Sequence, residues 1–275
     1  MTNPTRLLNL PSVIQPPRTI IHPTHSMGID IGGTSIKSGI VNTENGQLAG
    51  SLTTIPTPQP ATPMAVTDAI GQLLQDLERS QTAPHSNMPL GVAAPAIMQQ
   101  GIARSAANIC DTWIGLDVNK FMAEQLGRRV SAINDADAAG LAEANFGAGR
   151  NSKGLVVVIT LGTGIGSALI LDGTLIPNTE FGHLEIDGQD AEITTSAVAR
   201  ERNNMGWPEY ARRLNRYLSR LEFLLSPDLI IVGGGISARS DDFLPLLKLK
   251  TKVIPAQLRN TAGTIGAATH MLPTN

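Results

Sequence analysis

Asp30-Ile31-Gly32-Gly33-Thr34, with Lys37 three residues on, sets a carboxylate, two glycines, a hydroxyl and an ammonium together after a short apolar strand. Phosphoryl transfer needs such a set: N–H donors and a cation for phosphate oxygens, and a carboxylate for hydrated magnesium. A plain hairpin turn would also account for the glycines. A second stretch, Thr160 to Ile170, has the same strand–turn–strand grammar around Gly162-Thr163-Gly164. Glycines in such a turn let an anion approach successive backbone N–H groups. The two stretches align without a gap at an offset of 130 (160 − 30), pairing Gly32 with Gly162. Two phosphate-cradling hairpins imply two related lobes facing across a cleft. A dinucleotide fold is excluded for Gly162-x-Gly164-x-Gly166, because a strand follows where a helix should start. No Gly-Lys-Ser/Thr follows either turn, so a Walker loop is excluded too. Gly233-Gly234-Gly235 follows another apolar strand and fits either nucleotide approach or a tight turn.

Two further groups carry candidate chemistry. Asn134-Asp135 falls where a strand ends and a helix starts, so Asp135 fits either a helix cap or a general base at the cleft. Glu180 and His183 flank Gly182, and Glu192 follows twelve residues after Glu180. Carboxylates and imidazole suit sugar hydroxyls. A metal site or a polar surface loop are the other readings, although one histidine without cysteine is a poor zinc set.

The elements that must position these residues follow from periodicity. Strands are expected into Asp30, over 36–41 and over 48–55, then a helix over 64–77 with apolar residues at 66, 69, 70, 73, 74 and 77. A strand at 89–93, a helix at 116–126 and a strand at 130–133 complete one βββαβα lobe. The second lobe repeats this loosely: helix 136–146, strands 155–160 and 166–171, helices at 193–204 and 208–225, and strands at 229–232 and near 251–254. The expected division is an extended proline-rich arm over 1–26, a small lobe over 27–133 joined by a C-terminal helix at 261–273, and a large lobe over 134–260.

The 275 residues carry a net charge of −2, which gives no electrostatic case for nucleic acid. Cys110 is the single cysteine, so neither an internal disulfide nor a thiolate zinc cluster can form. Apolar runs are strand-sized, which argues against a membrane-spanning helix, and the first 26 residues lack the apolar core of a signal peptide, leaving the cytoplasm as the expected location.

In their order, Asp30–Thr34 with Lys37, Asn134-Asp135, Thr160–Gly166 and Glu180-x-Gly182-His183 resemble the signature of ROK-family sugar kinases. The resemblance runs from about Met27 to His270. It implies an α/β, two-lobe actin/hexokinase-type (ribonuclease-H-like) fold with a cleft between lobes. It makes Asp135 the catalytic base and Asn134, Asp135, Glu180, His183 and, across a shortened loop, Glu192 the sugar-binding set, with Asn108 as a further contact. Asp30, Gly32, Gly33, Thr34, Lys37, Gly162, Thr163, Gly164, Gly233 and Gly234 would serve phosphate or nucleotide, with Asp30 holding magnesium through water.

Two departures matter. The family's cysteine-rich zinc loop is replaced by Ile186–Ala191, so no zinc is expected, and Ala94-Pro95-Ala96 stands where relatives tend to have Pro-Gly. The missing loop, the run Pro177-Asn178-Thr179-Glu180-Phe181-Gly182-His183 and the run from Trp207 into Gly233–Gly235 are similar to the polyphosphate glucokinase branch. The implied activity is phosphorylation of glucose, and of mannose, at the 6-hydroxyl by polyphosphate or ATP, in a monomer or homodimer. A kinase for an N-acetylated hexosamine fits the phosphate motifs equally. A sugar-sensing regulator of the same fold would need an N-terminal helix-turn-helix, for which the proline-rich arm is too short. A long polyanion needs cations beyond a terminal-phosphate site. Arg150, Lys153 and the stripe Arg212, Arg216, Arg220 are candidates; a solvated helix face explains the stripe as well.

Overall fold

The computed structural model describes residues 24–79 and 88–271. Residues 1–23 of the expected arm and 272–273 of the expected last helix therefore lie outside the described residues. His25–Ile31 (β1) and Ser35–Asn42 (β2) pair antiparallel around the first glycine turn, and Thr53–Pro56 (β3) adds to β2. The third strand is shorter than its apolar pattern predicts. Leu48 makes only an isolated bridge to Val41, and Gly50, at φ 110°, turns the chain out of extended conformation. Pro63–Arg79 (α1) buries Val66, Ile70, Leu73 and Leu74 and leads toward Leu90–Ala94 (β4), parallel to β1.

A small hairpin, Met98–Gln99 (β5) with Ile102–Ala103 (β6), precedes Val118–Leu126 (α2). The Asp117 side chain accepts from Lys120 N–H and caps α2, satisfying one of the free donors at a helix start. Val130–Asn134 (β7) then completes a sheet of order β3-β2-β1-β4-β7 and runs directly into Asp135–Phe146 (α3).

Leu155–Leu161 (β8), Ile165–Leu171 (β9) and Thr174–Ile176 (β10) form an antiparallel meander. The pair Glu185–Ile186 (β11) and Gln189–Asp190 (β12) follows, then helices Ala191–Thr195 (α4), Ala197–Arg202 (α5) and Trp207–Leu225 (α6). The single helix expected over 193–204 is thus two, because Ser196 is extended at ψ 164° and its hydroxyl caps the second by accepting from Ala199 N–H. Leu229–Gly233 (β13), the short Ser240–Phe243 (α7), Lys252–Pro255 (β14) and Ala262–His270 (α8) complete the described chain. The second sheet has order β10-β9-β8-β13-β14, with β13 parallel to both β8 and β14.

The two sheets therefore share one plan. The first turn is bounded by Ile31 and Ser35, and adding 130 to each gives Leu161 and Ile165, which bound the second. Alternation along the strands sorts their side chains into layers. Met27, Ile29 and Ile31 pack with α1 and α2, while Val157, Ile159 and Leu161 pack with Leu214, Tyr217 and Leu221 of α6. On the opposite faces, α3 packs against β8 and β9, and α8 packs against β1 and β4. The packed pair α3–α8 thus lies between the sheets. Gly28 and Gly91 permit the close approach of α8: an added Cβ would stand 1.8 Å from the Thr264 carbonyl oxygen and 1.7 Å from that of Ala267. Among the described residues, no helix is long and apolar enough to cross a membrane.

Candidate active site

Asp30 is on the inward face of β1, beside Lys37 of β2, whose ammonium lies 3.4 Å from its carboxylate. Both line a cavity of about 430 Å³ whose walls come from both sheets, α3 and the start of α8. Asp135, Thr160, Gly233 and Gly234 share that wall. The fold thus brings together Asp30, Lys37, Asp135, Thr160 and the late glycine pair from four separate stretches of sequence. Gly32–Thr34 and Gly162–Gly164 do not line the cavity themselves; they close the hairpins whose strands deliver Asp30 and Thr160 to it. The first turn is braced by Thr57, whose hydroxyl donates to the Gly32 carbonyl at 2.6 Å, and by Gln59, whose amide donates to that of Gly33 at 3.0 Å. Gly234 has φ 81°, and a Cβ there would meet the Leu161 carbonyl oxygen at 2.3 Å, so the late turn is held against the end of β8.

The junction of β7 and α3 separates the two roles that the sequence left open for Asp135. Asn134 is the cap: its side-chain oxygen accepts from Asp137 N–H at 3.0 Å while its amide donates to the Ala96 carbonyl at 3.2 Å. Asp135 is therefore free of capping, and its carboxylate accepts from Ala136 N–H at 2.8 Å. Burial pushes the Asp135 carboxyl up to about 7, with further upward pressure from the facing Asp30 and from Glu180. Asp30 is also held above the usual carboxylate range by burial, against the pull of Lys37. A carboxylate poised near neutrality in a cleft between two lobes is a candidate general base.

Glu180, His183 and Glu192 converge. The single helical turn Phe181–His183 brings Glu180 and His183 to one side. Burial raises the Glu180 carboxyl, His183 pulls it down and Glu192 pushes it up. The His183 Nδ1 contacts the Asp190 carboxylate at 2.8 Å, and this bond raises the imidazole above its ordinary value. Glu192 lies behind the second glycine turn, accepting from Ile165 N–H at 3.3 Å. Asn108, in a left-handed conformation at φ 61°, packs on Gly33 at the first turn.

Three residues outside the motifs complete the frame. Asp137 is 1% exposed, and burial pushes its carboxyl up to about 7 even though it accepts from Asn178 N–H at 2.7 Å. Asn178 in turn grips β5 twice, accepting from Met98 N–H at 2.8 Å and donating to its carbonyl at 2.9 Å. Glu143, buried in α3, accepts from the N–H groups of Ala148, Gln257 and Leu258, so it ties α3 to the segment before α8. The only sequence signal for Asp137 and Glu143 is their charge on a helix of mostly small and apolar residues, and that of Asn178 is its place in the run Pro177–His183.

The chain belongs to the ROK family, whose model matches residues 26–199. The polyphosphate glucokinase of Mycobacterium tuberculosis (strain CDC 1551 / Oshkosh) is 48% identical over 245 residues, covering 89% of this chain and 90% of that protein. Among solved structures, the inorganic polyphosphate/ATP-glucomannokinase of Arthrobacter sp. strain KM is 54% identical with a TM-score of 0.86, covering 90% of this chain and 98% of that one. A ROK-family glucokinase from Streptomyces griseus, solved with glucose and AMPPNP, is 26% identical with a TM-score of 0.74 over 89% of this chain and 98% of that one. The actin/hexokinase-like two-sheet architecture expected from the motifs is the fold of these neighbours.

Proposed function

We propose that this chain is a hexokinase that transfers the terminal phosphoryl group of inorganic polyphosphate or ATP to the 6-hydroxyl of glucose, with mannose as a second substrate, in the cytoplasm. The observation that carries this reading is the position of Asp135. Its raised carboxylate stands between the cavity lined by Asp30, Lys37 and Gly234 and the polar cluster of Glu180, His183 and Glu192. The polyphosphate glucokinase and glucomannokinase relatives support the choice of donor and sugar.

In this reading Asn134, Glu180, His183 and Glu192 hold the sugar hydroxyls, and Asn108 adds a contact from the opposite lobe. Asp135 accepts the proton of the 6-hydroxyl as that oxygen bonds to the terminal phosphorus. The bridging P–O bond breaks, and the electron pair leaves on ADP or on a polyphosphate shortened by one unit. The N–H groups of Gly33, Thr34, Thr163 and Gly164 and the Lys37 ammonium stabilise the phosphoryl oxygens as charge spreads over them, whereas those of Gly32 and Gly162 donate within their turns to the Ser35 and Gly164 carbonyls. Asp30 is a buried hard-oxygen donor facing a second carboxylate, which fits magnesium bound through water. Magnesium needs only one or two protein carboxylates when phosphates supply the rest, and it would neutralise donor charge. Among the described residues no three His, Cys, Asp or Glu side chains group round one metal position, so the donor's phosphates would complete the set. The division into a small lobe over 27–133 with the last helix and a large lobe over 134–260 puts Asp135 at the hinge, where closure would exclude water from the phosphoryl group.

The test is formation of glucose 6-phosphate with magnesium and either ATP or polyphosphate as sole donor. Product from either donor is the expected result. Absence of product from both, with phosphorylation of an N-acetylated hexosamine instead, would overturn the choice of sugar.

A further inference from the structure

A second cavity, of about 710 Å³, opens between α6 and the segment 186–195, which follows Glu180 and His183 and carries Glu192. Arg212, Arg213 and Arg216 line it, with the side chains of Thr194, Thr195 and Ser219. This differs from the stripe expected from helical spacing. Arg220 is turned away over the Phe223 ring, 5.7 Å from its centroid, and Arg213 takes its place at the cavity.

The charge balance there is positive. Arg216 pairs with Asp187 across the cavity and Arg213 pairs with Glu209 at 2.8 Å, while Arg212 has no ion pair among the described residues. Three guanidinium groups against two carboxylates leave one net positive charge in a chain whose total is −2. A solvated helix face would spread its arginines over a convex surface. Here they line one wall of a hollow whose other wall is the segment 186–195.

Guanidinium forks match the paired oxygens of phosphate. No aromatic side chain is among the lining residues, so the cavity offers no aromatic platform for a nucleobase. We propose that this cavity is an accessory binding site for inorganic polyphosphate, holding the donor chain at a point outside the catalytic cavity. The proposal rests on the polyphosphate-donor reading above. A chain gripped at α6 keeps its free end at high effective concentration near Asp135, so the apparent affinity for long chains exceeds that of the catalytic cavity alone.

The test compares the wild-type chain with R212Q/R213Q/R216Q, using long-chain polyphosphate, tripolyphosphate and ATP as donors. The substituted ion pairs are at the surface and contribute little to folding. The variant should show a KM for long-chain polyphosphate raised about tenfold or more, with kcat and the KM values for tripolyphosphate, ATP and glucose unchanged. An unchanged KM for the long chain, or an equal rise for ATP, overturns the proposal. R212Q alone, which breaks no ion pair, should give a smaller shift in the same direction if the triple variant does not fold; no shift overturns the proposal.

If the wild-type chain turns over ATP but no polyphosphate, the donor reading fails and the site is judged by direct titration with long-chain polyphosphate. Binding that is lost in the variant supports the site, and equal binding or none overturns it.

Discussion

Asp135 and Asp137 are two residues apart at the start of α3, and burial pushes both carboxyls up to about 7. Their consequences differ. Asp135 as base must be ionised, so kcat/KM should fall as pH drops below about 7. A profile flat from pH 6 to 8 would contradict the assignment. Asp135→Asn should keep glucose binding, measured by calorimetry, and lose roughly 10²-fold or more in kcat. Asp137 is a matter of stability. Its folded value lies above the ~3.9 of an unfolded aspartate. Its contribution is therefore fully present below that value and lost as pH rises through about 7. Asp137→Asn keeps an oxygen to accept from Asn178 N–H and carries no charge. Thermal unfolding should show the wild type losing Tm between pH 5 and 8, and the variant losing less by a few degrees.

At the scale of elements, the bracket Asp137–Asn178–Met98 fastens the loop leading to Glu180 onto β5 of the first half. Asn178→Ala removes both side-chain bonds at once, each worth about 1 kcal/mol. The expected result is a KM for glucose raised several-fold with little change in the KM for ATP. Equal changes in both would mean that the bracket does not act on the sugar loop.

The same bracket marks the limit of what the sequence makes legible. Both glycine hairpins, their offset and the strand that delivers Asp135 follow from local alternation and turn chemistry, which neighbours in sequence determine. The contacts of Asn178 and Glu143 join residues 80 and up to 115 positions apart, and no local pattern encodes them. Ser196 splits one expected helix because its hydroxyl offers the backbone a competing bond. Gly50 ends a strand that its apolar neighbours favour. The arginine stripe gives Arg212 and Arg216 but not Arg213 for a related reason: spacing gives the face of a helix, whereas the hollow beside α6 is made by the distant segment 186–195.

For the whole molecule, the decisive contact is that of α8 with the inner face of the first sheet. Gly91→Ala would drive a methyl group into the Ala267 carbonyl and should cost about 3 kcal/mol in urea unfolding, with the transition midpoint lowered. A neutral outcome would mean that α8 can shift without loss. The arrangement also has a consequence in time. β4 ends at Ala94 and α8 begins at Ala262, 168 residues later (262 − 94). A ribosome therefore makes the whole second sheet before it supplies the cover for the first. Until then Val41, Ala93 and Ile133 of the nascent first half lack their partners on α8, and uncovered side chains of this kind are where chaperones bind and aggregates form. The two halves share one plan, yet the earlier one is completed last, and a gene truncated anywhere before Ala262 would yield a first sheet with no means of closing itself.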